Sequence, residues 1–400
     1  MSRAPFANWL SQTNDVTQVF LGASQIPGLI NLAGGLPDPA TWPVAELAAL
    51  AENAVREHPA EALGYSPIDG LPALRDQIAA RFATPELQLS RENVLITTGG
   101  MQALELLGKL FLEAGSTIAA QSPAYLGALD AWRPSHPRYH AMDLAAADCD
   151  PHRAMDGARF AYTVPNFSNP TGKLVGTAMR KTLIAAAEAT GCWLVEDDPY
   201  GMLHYDGTPL PSMIGLYAKA HPGPYRGPVI YLGTVSKELA PGLRLGWVIA
   251  APEVITAMTT AKQGGDLCTS GLCQRIVLDA LSSGLTERIR PATLALYRAR
   301  RDALCRAMSD HLGDLFDWEV PVGGMFVWAT AKDPALDTDR LLRTGLDHGV
   351  CISPSSVFDP EGRNHNAIRL NFTLNPPEKL AEGIRRLAEA TRSLLLENAA

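Results

Sequence analysis

Apolar residues recur along this chain in two periods, one of strands and one of helices. Leu104, Leu107 and Phe111 fall at i, i+3 and i+7, which predicts a helix after Thr98-Gly99-Gly100. Short apolar runs around it predict strands: Ile118–Ala120, Phe160–Val164 (stopped by Pro165), Cys192–Val195, Val229–Leu232 and Arg244–Ala250. Strand, helix and strand in alternation imply an α/β fold, a mostly parallel sheet with helices on both faces. In such sheets a ligand sits outside the carboxyl ends of the strands. Past residue 285 the pattern changes. Thr286 to His311 predicts a long charged helix with Arg288, Arg290, Arg298, Arg300 and Arg301, and Gly324–Trp328 and Ile368–Phe372 predict strands of a small mixed sheet. An amphipathic helix is expected from Glu378 to Glu397.

At 400 residues the chain is long enough for two domains. We expect an N-terminal arm (1–45) folded onto a small domain, a large domain (46–285) and the small C-terminal domain itself (286–400). A net charge of -8 without a long basic run argues against nucleic acid or an anionic membrane surface as a partner. No stretch approaches the ~20 apolar residues of a membrane helix. The first ten residues lack the apolar segment of a secretory signal, so a cytoplasmic protein is expected. The six cysteines form no C-x-x-C pair and no His cluster accompanies them. We expect reduced thiols and no metal site.

Several polar groups fall just after the predicted strands. Lys237 follows the Val229–Leu232 run, where burial disfavours its charge and frees the amine for Schiff-base chemistry. Thr234, Ser236 and Arg244 flank it as donors for a phosphate dianion. An aldehyde carrying a phosphate describes pyridoxal phosphate. Asp197 ends a buried strand and suits a protonated pyridine nitrogen, with a solvated acidic turn or a magnesium site as the alternatives. Tyr200, three residues on, and Asn169 are candidates to reach the ring hydroxyl. Gly100 and Met101 open a helix whose free amides bind phosphate. Tyr125 offers a ring for stacking. Arg369, inside an apolar strand, needs an anion: a substrate carboxylate or an internal Asp or Glu.

These residues fall in an ordered series of motifs: Asn31–Pro39, Tyr65–Gly70 with Leu74-Arg75, Thr97–Gln102, Ser122–Tyr125, Asn169–Gly172, Glu196–Tyr200, Ser236-Lys237 through Arg244–Trp247, Gly323–Phe326 and Arg369–Phe372. Over nearly its whole length the chain resembles class I/II aminotransferases, fold type I pyridoxal-phosphate enzymes. It is most similar to the kynurenine and 2-aminoadipate aminotransferase branch. The resemblance implies that Lys237 carries the cofactor and shuttles the proton, and that Asp197 pairs the pyridinium. Tyr200 and Asn169 would hold the ring hydroxyl, and Tyr125 would stack on the ring. Gly100, Met101, Thr234, Ser236 and Arg244 would hold the phosphate. Arg369 with Asn169 would bind the α-carboxylate, and Gly35 would line the substrate pocket. Tyr65 would reach the phosphate of a neighbouring subunit, which implies a homodimer with shared sites.

The family often has Ser or Ala where Gly100 stands, which leaves the phosphate to backbone amides here. In aminoadipate-specific relatives an arginine of the N-terminal helix reads the distal carboxylate. This chain has Gln18 near that point and no Arg between Arg3 and Arg56. The resemblance therefore implies neutral aliphatic or aromatic amino donors, with 2-oxoglutarate or another oxo acid as acceptor. A β-lyase or decarboxylase on the same scaffold, and a cofactor-binding sensor domain of a regulator, remain as alternatives.

Overall fold

A computed structural model describes residues 6–12, 19, 22 and 26–399. Its larger sheet has seven strands: β1 (Val94–Thr97), β2 (Thr117–Gln121), β3 (Arg138–Met142), β4 (Phe160–Thr163), β5 (Trp193–Asp197), β6 (Val229–Thr234) and β7 (Gly246–Ile249). Their spatial order is β1-β7-β6-β5-β4-β2-β3. Neighbours from β6 through β3 run parallel, and β7 runs antiparallel to both β6 and β1.

Both faces of this sheet are covered, which explains why its strands read as unbroken apolar runs. Alternate residues enter two different cores. Val195, Ile230, Leu232 and Val248 join Leu104, Leu107 and Trp132 on one face. Leu194, Val229, Tyr231, Trp247 and Ile249 join Leu74, Ile78 and Val277 on the other. The helix predicted after Gly99 runs from Gly100 to Phe111 (α1). The strand expected at Arg244–Ala250 is shorter. Arg244 adopts a left-handed conformation (φ 47°) at the end of a single 3-10 turn, and β7 begins at Gly246. The apolar pattern alone does not show that turn.

A second sheet holds β8 (Phe316–Trp318), β9 (Phe326–Ala331), β10 (Ser353–Pro354) and β11 (Ala367–Asn371), antiparallel in the order β8-β9-β11-β10. The long helix before it, α2 (Leu285–Leu312), buries Arg300 and Arg301 rather than exposing them. Each has an acidic partner, Asp38 and Asp206 respectively. The chain ends in α3 (Pro377–Ala399). The N-terminal arm meets the second sheet's part of the chain. Ile30 and Asn31 pair in parallel with Val350 and Cys351, and Asn375 donates to the Asn31 carbonyl at 2.8 Å. All six cysteines are free thiols. Among the described residues no helix is long and apolar enough to cross a membrane.

Candidate active site

With one exception, every site residue named from the sequence borders a single cavity of about 560 Å³ at the carboxyl end of the large sheet. The exception is Tyr65, which is 90% exposed and lies away from the cavity of its own chain. Gln18 lies outside the described residues.

Lys237 sits in the turn after β6, and its Nζ donates to the Gly35 carbonyl at 3.0 Å. Burial, reinforced by the nearby Arg244 and Arg369 guanidinia, lowers its pKa from 10.5 to about 8. Asp197 closes β5 on the same sheet face as Val195. Burial pushes its carboxyl up to about 7, against a hydrogen bond from the Tyr162 hydroxyl to Oδ2 at 2.7 Å. The acidic run Glu196-Asp197-Asp198 is thus not a solvated turn, and each member has its own task. Glu196 faces the opposite side and accepts from the Met213 and Ile214 amides at 2.7 and 3.0 Å, capping the helix that starts there. Asp198 accepts from the Tyr231 hydroxyl at 3.0 Å and the Gly201 amide at 2.8 Å.

Asn169 links two candidate groups. Its Nδ2 donates to the Tyr200 hydroxyl at 3.3 Å, and its Oδ1 accepts from Arg369 Nη1 at 2.6 Å. Burial raises the Tyr200 pKa, so its phenol stays protonated. Arg369 also donates to the Ala33 carbonyl and to Ser353 Oγ (3.1 Å). Its guanidinium lies 4.4 Å from the Phe326 ring centroid and 4.7 Å from that of Phe358. Its Nε has no partner, and among the described residues no carboxylate pairs with it. The internal Asp or Glu that the sequence left open is therefore not found. Burial in this apolar sandwich brings its pKa down to about 10.

A cluster of donors lies beside Lys237. Thr234 Oγ1 and Ser236 Oγ are 2.9 Å apart. Gly100 opens α1 with no side chain capping the helix. Gly99 before it has φ +78°, which favours glycine, and a Cβ there would push the Arg244 guanidinium aside. Among the described residues the Arg244 guanidinium donates one long bond, 3.3 Å, to the Pro241 carbonyl. The Tyr125 hydroxyl contacts Met101 Sδ at 3.7 Å. A Cβ on Gly35 would press to 3.0 Å against Phe326, so the arm passes close to β9 here.

The family profile for class I and II aminotransferases matches residues 27–387. The chain belongs to this aminotransferase family. It is 36% identical to an aromatic-amino-acid aminotransferase of Thermococcus litoralis, over 91% of this chain and 88% of that one. It is 37% identical to a 2-aminoadipate transaminase of Thermus thermophilus, covering 94% and 93% of the two chains. Among solved structures, α-aminoadipate aminotransferase of Thermus thermophilus, complexed with N-(5'-phosphopyridoxyl)-L-leucine, superposes with a TM-score of 0.86 at 34% identity, covering 97% and 99%. Kynurenine aminotransferase of Pyrococcus horikoshii gives 0.88 at 33%, covering 96% and 95%. These are aminotransferases of fold type I, and so is this chain.

Some residues of the aminotransferase site escaped the sequence pattern. Tyr162 looks like one more apolar residue of a buried strand until its parallel neighbour is known. Ser353 and Phe358 reach Arg369 from other segments, and Phe326, noted in the Gly323–Phe326 motif, turns out to lie against it as well. For Tyr162, Ser353 and Phe326 the missing signal was the register of adjacent strands, whereas Phe358 is brought there by the 3-10 turn Ser355–Phe358. Among the described residues one group has the spacing of metal ligands: Asp337, Asp339 and His365. None of the three borders the aminotransferase cavity, and Asp337 already caps a helix.

Proposed function

We propose that this aminotransferase moves the α-amino group of a neutral, aromatic or aliphatic L-amino acid to a 2-oxo acid such as 2-oxoglutarate, in a ping-pong exchange. Its cofactor is pyridoxal 5'-phosphate, and the cavity fits that group on its own chemistry. Two guanidinia without carboxylate partners among the described residues, a depressed lysine pKa and a buried carboxyl converge on one space. A Cβ built on Gly100 meets nothing within 4 Å, so the helix start is open to a phosphate.

Lys237 is the amine that would carry the cofactor. Gly100, Met101, Thr234, Ser236 and Arg244 would hold its phosphate, Asp197 would keep its ring nitrogen protonated, and Tyr200 and Asn169 would hold its ring oxygen. Tyr125 would pack on the ring. When bound, the cofactor supplies an electron sink for negative charge at the substrate Cα. Arg369 binds the α-carboxylate as a planar fork, with Asn169 fixing its angle. Lys237, freed when the substrate amine takes its place, would accept the Cα proton on Nζ and pass it on to the cofactor rather than back to Cα, a task suited to an amine whose pKa lies near the working pH. Tyr65 would complete the phosphate site of a second subunit in a homodimer, and its exposure fits that role. We place the domain limits at 1–45, 46–285 and 286–400, and the enzyme in the cytoplasm.

The half-buried Lys237 amine, held on the Gly35 carbonyl and facing the charges of Arg244 and Arg369, carries this reading. The preference for neutral side chains rests on the lining. Among the described residues its cations are Lys237, Arg244 and Arg369, which leaves none for a distal carboxylate. Asp130 also borders the cavity, held at 2.5 Å by Arg133. The test is an absorption spectrum of the loaded protein with single amino acids and no acceptor. We expect the visible cofactor band to bleach with aromatic or aliphatic donors and to return when a 2-oxo acid is added. No band after adding pyridoxal phosphate would refute the roles of Lys237 and Asp197. A stronger response to acidic donors would refute the side-chain class, and turnover without an acceptor would point to a lyase or decarboxylase.

A further inference from the structure

We propose that Tyr162 is a positioning residue for Asp197: its buried hydroxyl clamps one carboxylate oxygen and presents the other, as an anion, to the cavity. The inference rests on the assignment of Asp197 to the cofactor's ring nitrogen and adds a residue to it.

The geometry begins with strand register. Tyr162 on β4 lies opposite Val195 on β5, and Asp197 is the next residue along β5 on the same face. That places the phenol beside the carboxylate, and the Oη–Oδ2 distance is 2.7 Å. Among the described residues this is the one side-chain hydrogen bond that Asp197 receives. Tyr162 is fully buried, and Trp132 packs edge-on against its ring at 5.0 Å and 82°. The Trp132 indole is itself fixed by a 2.8 Å bond to the Leu104 carbonyl in α1. The phenol therefore has one place to point.

This contact acts in two ways. A carboxylate's last torsion is broad, and a bond to one oxygen fixes the direction of the other. A phenol that donates also stabilises the anion rather than the neutral acid, and so opposes the desolvation of Asp197. The donor is dependable, because burial and the Asp197 charge hold the Tyr162 pKa well above its ordinary value. Asp197 can pair a protonated ring nitrogen only as an anion. Its tendency to neutralise on burial makes the phenol's contribution decisive.

The test is Tyr162→Phe, which keeps the ring and its Trp132 contact and deletes only the hydroxyl. We expect kcat to fall about tenfold to a hundredfold, the range for a lost hydrogen bond to a charged group. The amino-acid KM should change little, because Arg369 and Asn169 are untouched. The acid limb of the kcat profile should move up by about one to two pH units. Affinity of the cofactor-free protein for pyridoxal phosphate, followed by tryptophan fluorescence, should also fall. A purely structural role would lower the melting temperature and leave the pH limb in place, and that result overturns the proposal.

Asp197→Asn run in parallel separates the two claims. If it is impaired and Tyr162→Phe matches wild type in kcat and pH profile, the Tyr162 proposal fails alone. If Asp197→Asn also matches wild type, the assignment of Asp197 fails. Should Tyr162→Phe not fold, 3-fluorotyrosine placed at 162 alone supplies a more acidic donor of nearly the same size. It should move the limb downward, and an unmoved limb overturns the proposal.

Discussion

Replacing Lys237 by methionine should abolish amino transfer and yet stabilise the cofactor-free protein near pH 7. In that protein the cavity holds a cation beside two others. Burial, Arg244 and Arg369 bring the Lys237 pKa from 10.5 to about 8. At ~1.4 kcal/mol per pH unit, this costs the fold about 3 kcal/mol whenever the amine is charged. Methionine has similar length and no charge, so packing is largely kept. It forfeits the bond from Nζ to the Gly35 carbonyl, worth about 1 kcal/mol. The net gain is about 2 kcal/mol at pH 7. The pH dependence gives a sharper check. Between about pH 8 and 10.5 the unfolded chain binds a proton at this lysine that the folded chain does not, so wild-type stability rises with pH there. The advantage of Lys237→Met should therefore shrink above pH 8. Near pH 10.5 little more than the lost hydrogen bond should remain. Urea unfolding of both cofactor-free proteins across pH 6.5 to 10.5, compared as a difference, measures this directly. A variant less stable than wild type at pH 7, or a difference that does not vary with pH, would refute the account of a cation held against its surroundings.

Other perturbations follow from the same contacts. Arg369→Lys keeps a charge but loses the planar fork between Phe326 and Phe358, so the amino-acid KM should rise about tenfold or more while cofactor affinity holds, as steady-state kinetics and a binding titration would show. Asp197→Asn should lower kcat by about two orders of magnitude, the scale of a missing preorganised group. It also has a stability signature. A carboxyl raised from 3.8 to about 7 binds a proton in the folded state that the unfolded chain releases, and this support is fully present below about pH 4 and lost as pH rises through about 7. The stability of Asp197→Asn should accordingly gain on wild type between about pH 4 and 7 and level off above that. In the proposed phosphate cradle, Gly99→Ala should weaken cofactor binding by displacing Arg244, whereas Gly100→Ser, with open space at its Cβ, should tighten it about two- to tenfold through one added hydrogen bond. Fluorescence titration with pyridoxal phosphate reads both.

What the chain declares locally is its α/β pattern and the chemistry of its strand ends. Unbroken apolar runs such as Val229–Leu232 announce strands buried on both faces, and the polar residues after them announce a ligand, because a buried sheet tolerates polar groups only at its ends. Lys237, Asp197, Asn169 and the Gly99-Gly100 helix start could all be picked out that way. The order of motifs pointed to the aminotransferase family without any coordinates. What these residues do to one another was decided by tertiary structure. Whether Arg369 meets an internal carboxylate depends on which strands and loops surround it, and packing placed two phenyl rings, Ser353 and Asn169 there instead. The Tyr162–Asp197 contact depends on the register of two parallel strands whose connection runs through a whole helix. The resting partner of Lys237 is a carbonyl 202 residues away in the N-terminal arm. Local sequence sets propensity and exposure, which act over a few residues. The pKa values of Lys237 and Asp197 come mainly from desolvation, with a charge far along the chain (Arg369) acting on Lys237 and a distant hydroxyl (Tyr162) on Asp197, and these exist only once both sheets have closed around the cavity.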